Sequence, residues 1–319
     1  MNSVFSLLYA SFLLTFCLLS SCKSTPHSTP SAKKAKNSVA QTPTSSTPSA
    51  KSLKLNIVHE PQHLDPRRAR SLNEMNLTKM LMEGLTRIGK NQEVVLAQAE
   101  SIHTSEDNLT YTVTLKETYW SNGDRVTAQD FAYAWKKVLS PDFISENAYQ
   151  LFIIKNAKEI KNGGIPNSLL GVTCVDDKTL VIELESAVPY FTQLLAMPVF
   201  FPVNQRVDRR NPQWASSQET YVGNGPFQLQ SWSHHQQLVA VKNPHYWDRE
   251  KIKIGMIDMV MVAEDTGIKL FENENLDWEG SPFSALPVDA LPSIKQSGKW
   301  HETQALATYF VAVNTKKKS

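Results

Sequence analysis

One stretch constrains this chain more than any other: Trp120 to Leu139, WSNGDRVTAQDFAYAWKKVL. Ser121-Asn122-Gly123-Asp124 has turn chemistry, with side chains that bond their own backbone and a glycine tolerant of φ > 0. Helix signals follow at once. Thr127 can cap with its hydroxyl, and Asp130, three residues on, can reach back or sit against the positive helix end. Phe131, Ala134, Trp135 and Val138 then fall at i, i+3, i+4 and i+7, which is one helix face. Pro141 ends the run. A loop feeding a helix with one apolar face predicts a helix packed on a sheet.

Other segments supply the sheet. Leu53, Leu55 and Ile57 alternate with polar residues, so folded structure is expected to begin with a strand at Leu53. Leu109 to Leu115 alternates cleanly as a half-buried strand, and Ile257, Met259 and Met261 form a core strand. Gly171 to Glu185 reads as a hairpin turning at Asp176-Asp177-Lys178. Leu72, Met75, Leu81 and Met82 predict an amphipathic helix, its methionines core rather than ligands. Tyr149 to Ile160 predicts another, stopped by Asn162-Gly163-Gly164. The fold class is therefore α/β.

The first 52 residues are different in kind. Residues 4–19 are almost wholly apolar and end in Leu19-Ser20-Ser21-Cys22. That reads as a signal peptide closing in a lipobox, too short for a stable span, although the segment before it lacks Lys and Arg. Cys22 is the expected lipid attachment site; the alternative is an ordinary signal with a cysteine by chance. Residues 23–52 are Ser, Thr, Pro, Ala and Lys, a composition that cannot offset ordering entropy, and predict a flexible tether. Net charge is +2, but residues 22–52 alone carry five Lys and no acid, leaving −3 on the rest. A body of that charge offers no electrostatic footprint for nucleic acid.

Several chemical motifs weaken on inspection. His59-Glu60-Pro61-Gln62-His63 spells H-E-x-x-H, which binds zinc only on a helix. Pro61 in its centre breaks that helix, so no metal is expected. His234 and His235 are adjacent and would face opposite ways on a strand. Once the leader is set aside, Cys174 is the only cysteine left, and its alternating surroundings predict a small buried hydrophobe. No nucleophile–base spacing argues for catalysis, and no cofactor is expected.

The letters then carry a resemblance. Trp120, Ser121, Asn122, Gly123, Thr127, Ala128, Asp130, Phe131, Tyr133 and Trp135 match W-S-(N/D)-G-x-x-(V/L)-T-A-x-D-F-x-(Y/F)-x-(W/L). Glu60-Pro61-Gln62-His63-Leu64-Asp65-Pro66 matches E-P-x-x-L-D-P, and Glu83-Gly84-Leu85 follows as the usual helix end. Gly171, Val172, Asp176, Asp177, Thr179 and Leu180 match G-V-x-x-x-D-(D/E)-x-T-L. Asn224-Gly225-Pro226-Phe227 and Lys242-Asn243-Pro244-His245-Tyr246-Trp247-Asp248 match N-G-P-(F/Y) and K-N-P-x-Y-W-D. Together they resemble bacterial extracellular solute-binding proteins of family 5, the oligopeptide-binding lipoproteins of ABC importers, from Leu53 to Thr315.

The resemblance implies a periplasmic-binding-protein-like (type II) lobe with mixed sheets, the second large lobe missing. The implied division is 1–21 signal peptide, 22–52 lipidated Cys and tether, 53–90 with 206–315 an incomplete lobe I, 91–205 an inserted accessory α/β subdomain, and 316–319 a basic tail. It implies an extended oligopeptide held by backbone pairing in a cleft. Ligand candidates carried over by position are Arg70, Leu72, Asn147, Tyr149, Trp278, Ser281 and Phe310. Arg70 stands where the family sometimes has an acid, and Asn147 aligns near a tyrosine for which Tyr149 can substitute. Implied partners are the peptide, the importer's membrane subunits and the membrane itself through the lipid. The implied location is the cell envelope, periplasmic and lipid-anchored. The alternative is a truncated, non-transporting fragment or a surface lipoprotein with an interaction role; an enzyme is disfavoured.

Overall fold

A computed structural model describes residues 51–303 together with Val311, Val313 and Thr315. The expected signal peptide, Cys22, most of the tether, Phe310 and the tail 316–319 lie outside the described residues. The elements run β1 (Lys51–Asn56), α1 (Leu72–Leu81), β2 (Thr86–Ile88), β3 (Val94–Leu96), β4 (Ala99–Thr104), β5 (Thr110–Leu115), α2 (Ala128–Leu139), α3 (Ala157–Lys161), β6 (Val172–Cys174), β7 (Thr179–Glu183), α4 (Phe191–Leu194), α5 (Gln205–Arg210), β8 (Phe227–Ser233), β9 (Gln237–Lys242), β10 (Ile254–Val260), α6 (Glu264–Glu272) and α7 (Leu291–Gln296). The first strand starts two residues before the expected Leu53, because Lys51 and Ser52 already pair with β10.

Two four-stranded sheets carry the structure. One has the order β1-β10-β9-β8 and is mixed, since β1 runs parallel to β10 while the rest is antiparallel. The other, β4-β5-β7-β6, is antiparallel throughout. A short β2-β3 hairpin stands between them in sequence. Alternation works as expected in β5, where Tyr111, Val113 and Leu115 are buried. In β10, Ile257 and Met259 are buried. Cys174 is only half-buried on β6, short of the burial expected of a core hydrophobe, and its partial burial raises the thiol above the usual range.

Helix α2 follows its sequence closely. Thr127 and Asp130 form a capping box, with the Asp130 carboxylate accepting from the Thr127 backbone at 3.0 Å. Phe131, Ala134, Trp135 and Val138 are all buried. Trp135 stacks edge-on against Phe131 and Phe200, at 6.2 and 5.9 Å between centroids, and its Nε1 donates to the Phe200 carbonyl at 2.9 Å. The Lys161 ammonium closes the far end of α2, donating to the carbonyls of Val138, Ser140 and Phe143 at 2.9, 3.0 and 2.6 Å. Burial pulls that ammonium below its usual range.

The family motifs acquire physical work. Asn224 bonds both backbone groups of Glu83, at 3.0 and 2.9 Å, and the Gly225 amide donates to the Leu81 carbonyl at 3.0 Å. A Cβ on Gly225 would sit 2.5 Å from the Leu81 carbonyl carbon, so only glycine allows α1 to end against this turn. The buried Glu83 carboxylate then gathers Tyr246, Trp247, Gln98 and Arg87, at 2.8, 2.7, 3.0 and 3.2 Å. Three chain segments far apart in sequence are joined there.

Three expectations need correction. Tyr149 to Ile160 is not one helix. A 3-10 turn over Ala148–Ile153 stops where Ile154 bridges to Leu184, and Asn156 takes φ +66° before α3 begins. Pairing with the sheet wins over helical periodicity. In α1 the buried residues are Glu74, Leu77, Thr78 and Leu81, whereas Leu72 is 63% exposed and Met75 only half-buried. His234 and His235 lie in the turn between β8 and β9, with His235 at φ +60°, rather than on a strand. Glu60 holds that turn: its carboxylate accepts from Trp232 Nε1 at 2.8 Å and the His235 amide at 2.7 Å, and pairs with His234 Nδ1 at 2.7 Å. His59 to His63 is not helical, and no cluster of metal-binding side chains occurs among the described residues.

Candidate functional site

The site is built on α1. Ser71 caps the helix and Glu74 completes a capping box, a Ser-x-x-Glu signal present in the sequence but overlooked beside the apolar pattern. The Glu74 carboxylate does more than cap. It accepts from four backbone amides, Gln62 at 2.9 Å, His63 at 3.2 Å, Arg70 at 3.0 Å and Ser71 at 3.1 Å. The loop from Gln62 to Ser71 is thereby wound around one side chain. Burial alone would raise this carboxyl, but the four amides outweigh it and hold it below its usual range.

That loop delivers Arg70. Its guanidinium reaches Glu146 Oε1 at 2.7 Å and Gln62 Oε1 at 3.0 Å, with both charged side chains about half exposed. One residue further along the partner segment, Asn147 donates to the Ala69 carbonyl at 2.9 Å. Arg70 and Asn147, expected on the cleft from resemblance, therefore meet at one junction. Leu72 and Tyr149 flank it and expose 63% and 61% of their surface. Gln62 and Glu146 were not anticipated, and no local sequence signal marks either.

Behind the junction lies a buried ion network. Arg67 is held by Asp65 at 2.8 Å and Asp208 at 2.6 Å, and Tyr133 donates to Asp208 at 2.6 Å. Burial opposes the Arg67 charge, yet the two carboxylates keep it firmly protonated. Burial and the Asp208 charge push the Tyr133 hydroxyl up to about 12. Arg67 and Asp208 are 141 residues apart, so this lock ties the loop before α1 to α5.

The other two described candidates lie beyond β1. Trp278 donates its amide to the Lys54 carbonyl at 3.2 Å and forms an isolated parallel bridge with Leu55. Its indole donates to the Ser281 carbonyl at 3.0 Å, while 42% of the residue stays exposed. Asn76 of α1 donates to the Pro282 carbonyl at 3.2 Å, so one helix touches both groups of candidates. Trp278, Glu279 and Ser281 wall a cavity of about 740 Å³ with Phe271, Leu286 and Trp300. Asn56 fixes the wall from below: its Nδ2 reaches the Val262 carbonyl at 3.1 Å and Glu279 at 3.3 Å. Burial raises the Glu279 carboxyl above its usual range. An open cavity with aromatic walls and a few fixed polar groups has the character of a ligand-binding site.

Comparison with known proteins bears on the family and the fold. Residues 93–319 match the model for bacterial extracellular solute-binding proteins, family 5. The chain is similar to the oligopeptide-binding protein OppA of Bacillus subtilis, 40% identical over 262 residues that cover 81% of this chain and 48% of the relative. Among solved structures, an oligopeptide ABC transporter substrate-binding domain from Bacillus anthracis is 37% identical with a TM-score of 0.70, covering 72% of this chain and 45% of that one. Haemophilus influenzae OppA in complex with RPPGFSPFR is 28% identical with a TM-score of 0.74, covering 78% and 49%. The chain thus spans about half the length of the relatives it matches. Signature residues, mixed α/β sheets and these matches agree, and the chain belongs to the bacterial extracellular solute-binding proteins, family 5.

Proposed function

We propose that this protein is the substrate-binding component of a peptide ABC importer and that α1 sits at the centre of its peptide surface. Arg70, Leu72, Asn147 and Tyr149 contact one part of an extended peptide, and Trp278 and Ser281 contact another. Phe310, a candidate from the resemblance alone, lies outside the described residues. The reading is carried by one observation: Arg70 and Asn147 converge where α1 begins, and Asn76 ties the same helix to the Trp278–Pro282 wall. The named binding partners of the relatives, oligopeptides and dipeptides, point to the same ligand class. The segments 53–90 and 206–315 form lobe I, and 91–205 an inserted subdomain. Cys22 carries a lipid that keeps the protein at the membrane of the cell envelope, and the importer's membrane subunits receive the ligand.

Isothermal titration of the purified chain with a mixed tripeptide pool tests the reading. Binding heat is expected, and Trp278→Ala is expected to weaken binding by roughly tenfold, since one desolvated aromatic contact carries about that much. No heat with any peptide pool, or unchanged affinity in both Trp278→Ala and Arg70→Ala, overturns it. Radiolabelled palmitate incorporated by wild type but not by Cys22→Ser tests the anchor.

A further inference from the structure

Arginine pairing is uneven across the molecule. The chain has nine arginines, and six of them, Arg67, Arg70, Arg87, Arg125, Arg206 and Arg249, have a carboxylate within 4.0 Å. The other three, Arg68, Arg209 and Arg210, have none among the described residues, and all three belong to one region. The Arg68 guanidinium lies 4.3 Å from the Phe143 ring centroid, and Lys137 of α2 lies 5.9 Å from the same ring. One turn back on α2, Tyr133 carries the Arg209 guanidinium at 5.1 Å. Of the acids nearby, Asp208 is engaged by Arg67 and Tyr133, whereas Asp142 accepts from Ser140 and keeps its charge near Lys137, offsetting part of the excess. Aromatic faces, not carboxylates, hold Arg68 and Arg209, and Arg210 is exposed next to Arg209 on α5, so their charge stays available to something outside.

This excess sits on a body of the opposite sign, since residues 53–319 carry a net −3. We propose that the face formed by Arg68, Lys137, Arg209 and Arg210 docks on an anionic phospholipid surface. The argument for a bilayer comes from the sequence leading into β1, where Lys23, Lys33, Lys34 and Lys36 precede the strand and Lys51 opens it, with no acid among them. A segment of that charge is drawn to the same headgroups and delivers the body to them. The inference rests on the membrane location proposed above, but not on acylation. Guanidinium groups suit the partner, because their forked donors match phosphate oxygens. Such docking would hold the loop that leads into Arg70 next to the membrane.

The test uses the full chain carrying Cys22→Ser, so that no acyl group can hold it. Flotation is compared between neutral phosphatidylcholine vesicles and vesicles with about 30% phosphatidylglycerol, in about 0.05 M and about 0.5 M NaCl. Binding is expected only to the anionic vesicles and only in low salt. The triple variant Arg68→Gln, Arg209→Gln, Arg210→Gln is expected to lose about a hundredfold in partition coefficient. A matched triple neutralisation at Lys242, Lys251 and Lys253 is expected to change it far less, and near-ultraviolet circular dichroism checks that both variants are folded. Equal loss in the two triples, binding indifferent to phosphatidylglycerol, or binding to polyglutamate beads but not to vesicles overturns the proposal. Failed flotation with intact palmitate labelling rejects this face alone. Flotation without labelling rejects the anchor and leaves the face standing.

Discussion

The two capping boxes of this protein use the same grammar for different ends. At α2, Asp130 accepts from the Thr127 amide, the Gln205 amide and the Trp120 indole, at 3.0, 3.1 and 3.2 Å. At α1, Glu74 accepts from four backbone amides of its own approach loop. Burial dominates at Asp130 and raises its carboxyl, while the four amides dominate at Glu74 and lower it. The first box is a fold device, tying a turn, a helix and α5 together. The second shapes a loop whose far end presents Arg70. A cap motif marks where a helix begins; what its carboxylate gathers decides what the helix is for.

Substitutions should separate the two roles. Asp130→Ala removes the cap and strands a buried indole N–H, which together cost about 3 kcal/mol. Chemical denaturation should report that loss, with peptide affinity of the remaining folded fraction unchanged. Glu74→Ala should cost about 2 kcal/mol, because more of what it releases can reach water. Here peptide affinity should fall as well, since the Arg70 loop is freed. If both variants lose stability and neither loses affinity, the contrast is wrong.

Acid sharpens the contrast further. A carboxyl held below its unfolded value contributes stability that is lost as pH falls through the folded value, so Glu74 loses its contribution on acidification. Asp130, raised on folding, costs stability once ionised, and that cost is relieved as pH falls. Between roughly pH 5 and pH 3, Glu74→Gln should therefore flatten the acid loss of stability and Asp130→Asn should steepen it. Matching slopes for the two variants would break the argument. The smallest effect belongs to Leu72→Ala. Its side chain is largely exposed, so stability should move by no more than about 0.5 kcal/mol, and titration should show any change in peptide affinity instead.

The parts of the fold visible in the sequence were those with local causes. Helix α2 needs only its cap, its apolar face and Pro141, all within about twenty consecutive residues. The hairpin of β6 and β7 is similar, because the Asp176 side chain itself takes the Lys178 and Thr179 amides at 2.7 Å. The inward face of helix α1 escapes a hydrophobic count, since Glu74 and Thr78 occupy positions that such a count gives to Leu72 and Met75. The break at Asn156 follows from the Ile154–Leu184 bridge, a long-range event. The Asp65–Arg67–Asp208 lock and the Arg70–Glu146 contact were equally hidden, because no spacing rule connects residues so distant in the chain. Candidate site residues came from resemblance to a family rather than from any pattern of their own.

The cluster around Glu83 has a mechanical implication. Greasy contacts let two layers slide a little and still fit, whereas Tyr246, Trp247, Gln98 and Arg87 converge on that carboxylate along fixed directions. A rivet of this kind forbids shear between the segments it joins. Whatever bending the protein performs must occur in other places, and loosening the rivet with Glu83→Gln should divide a single thermal melt into two.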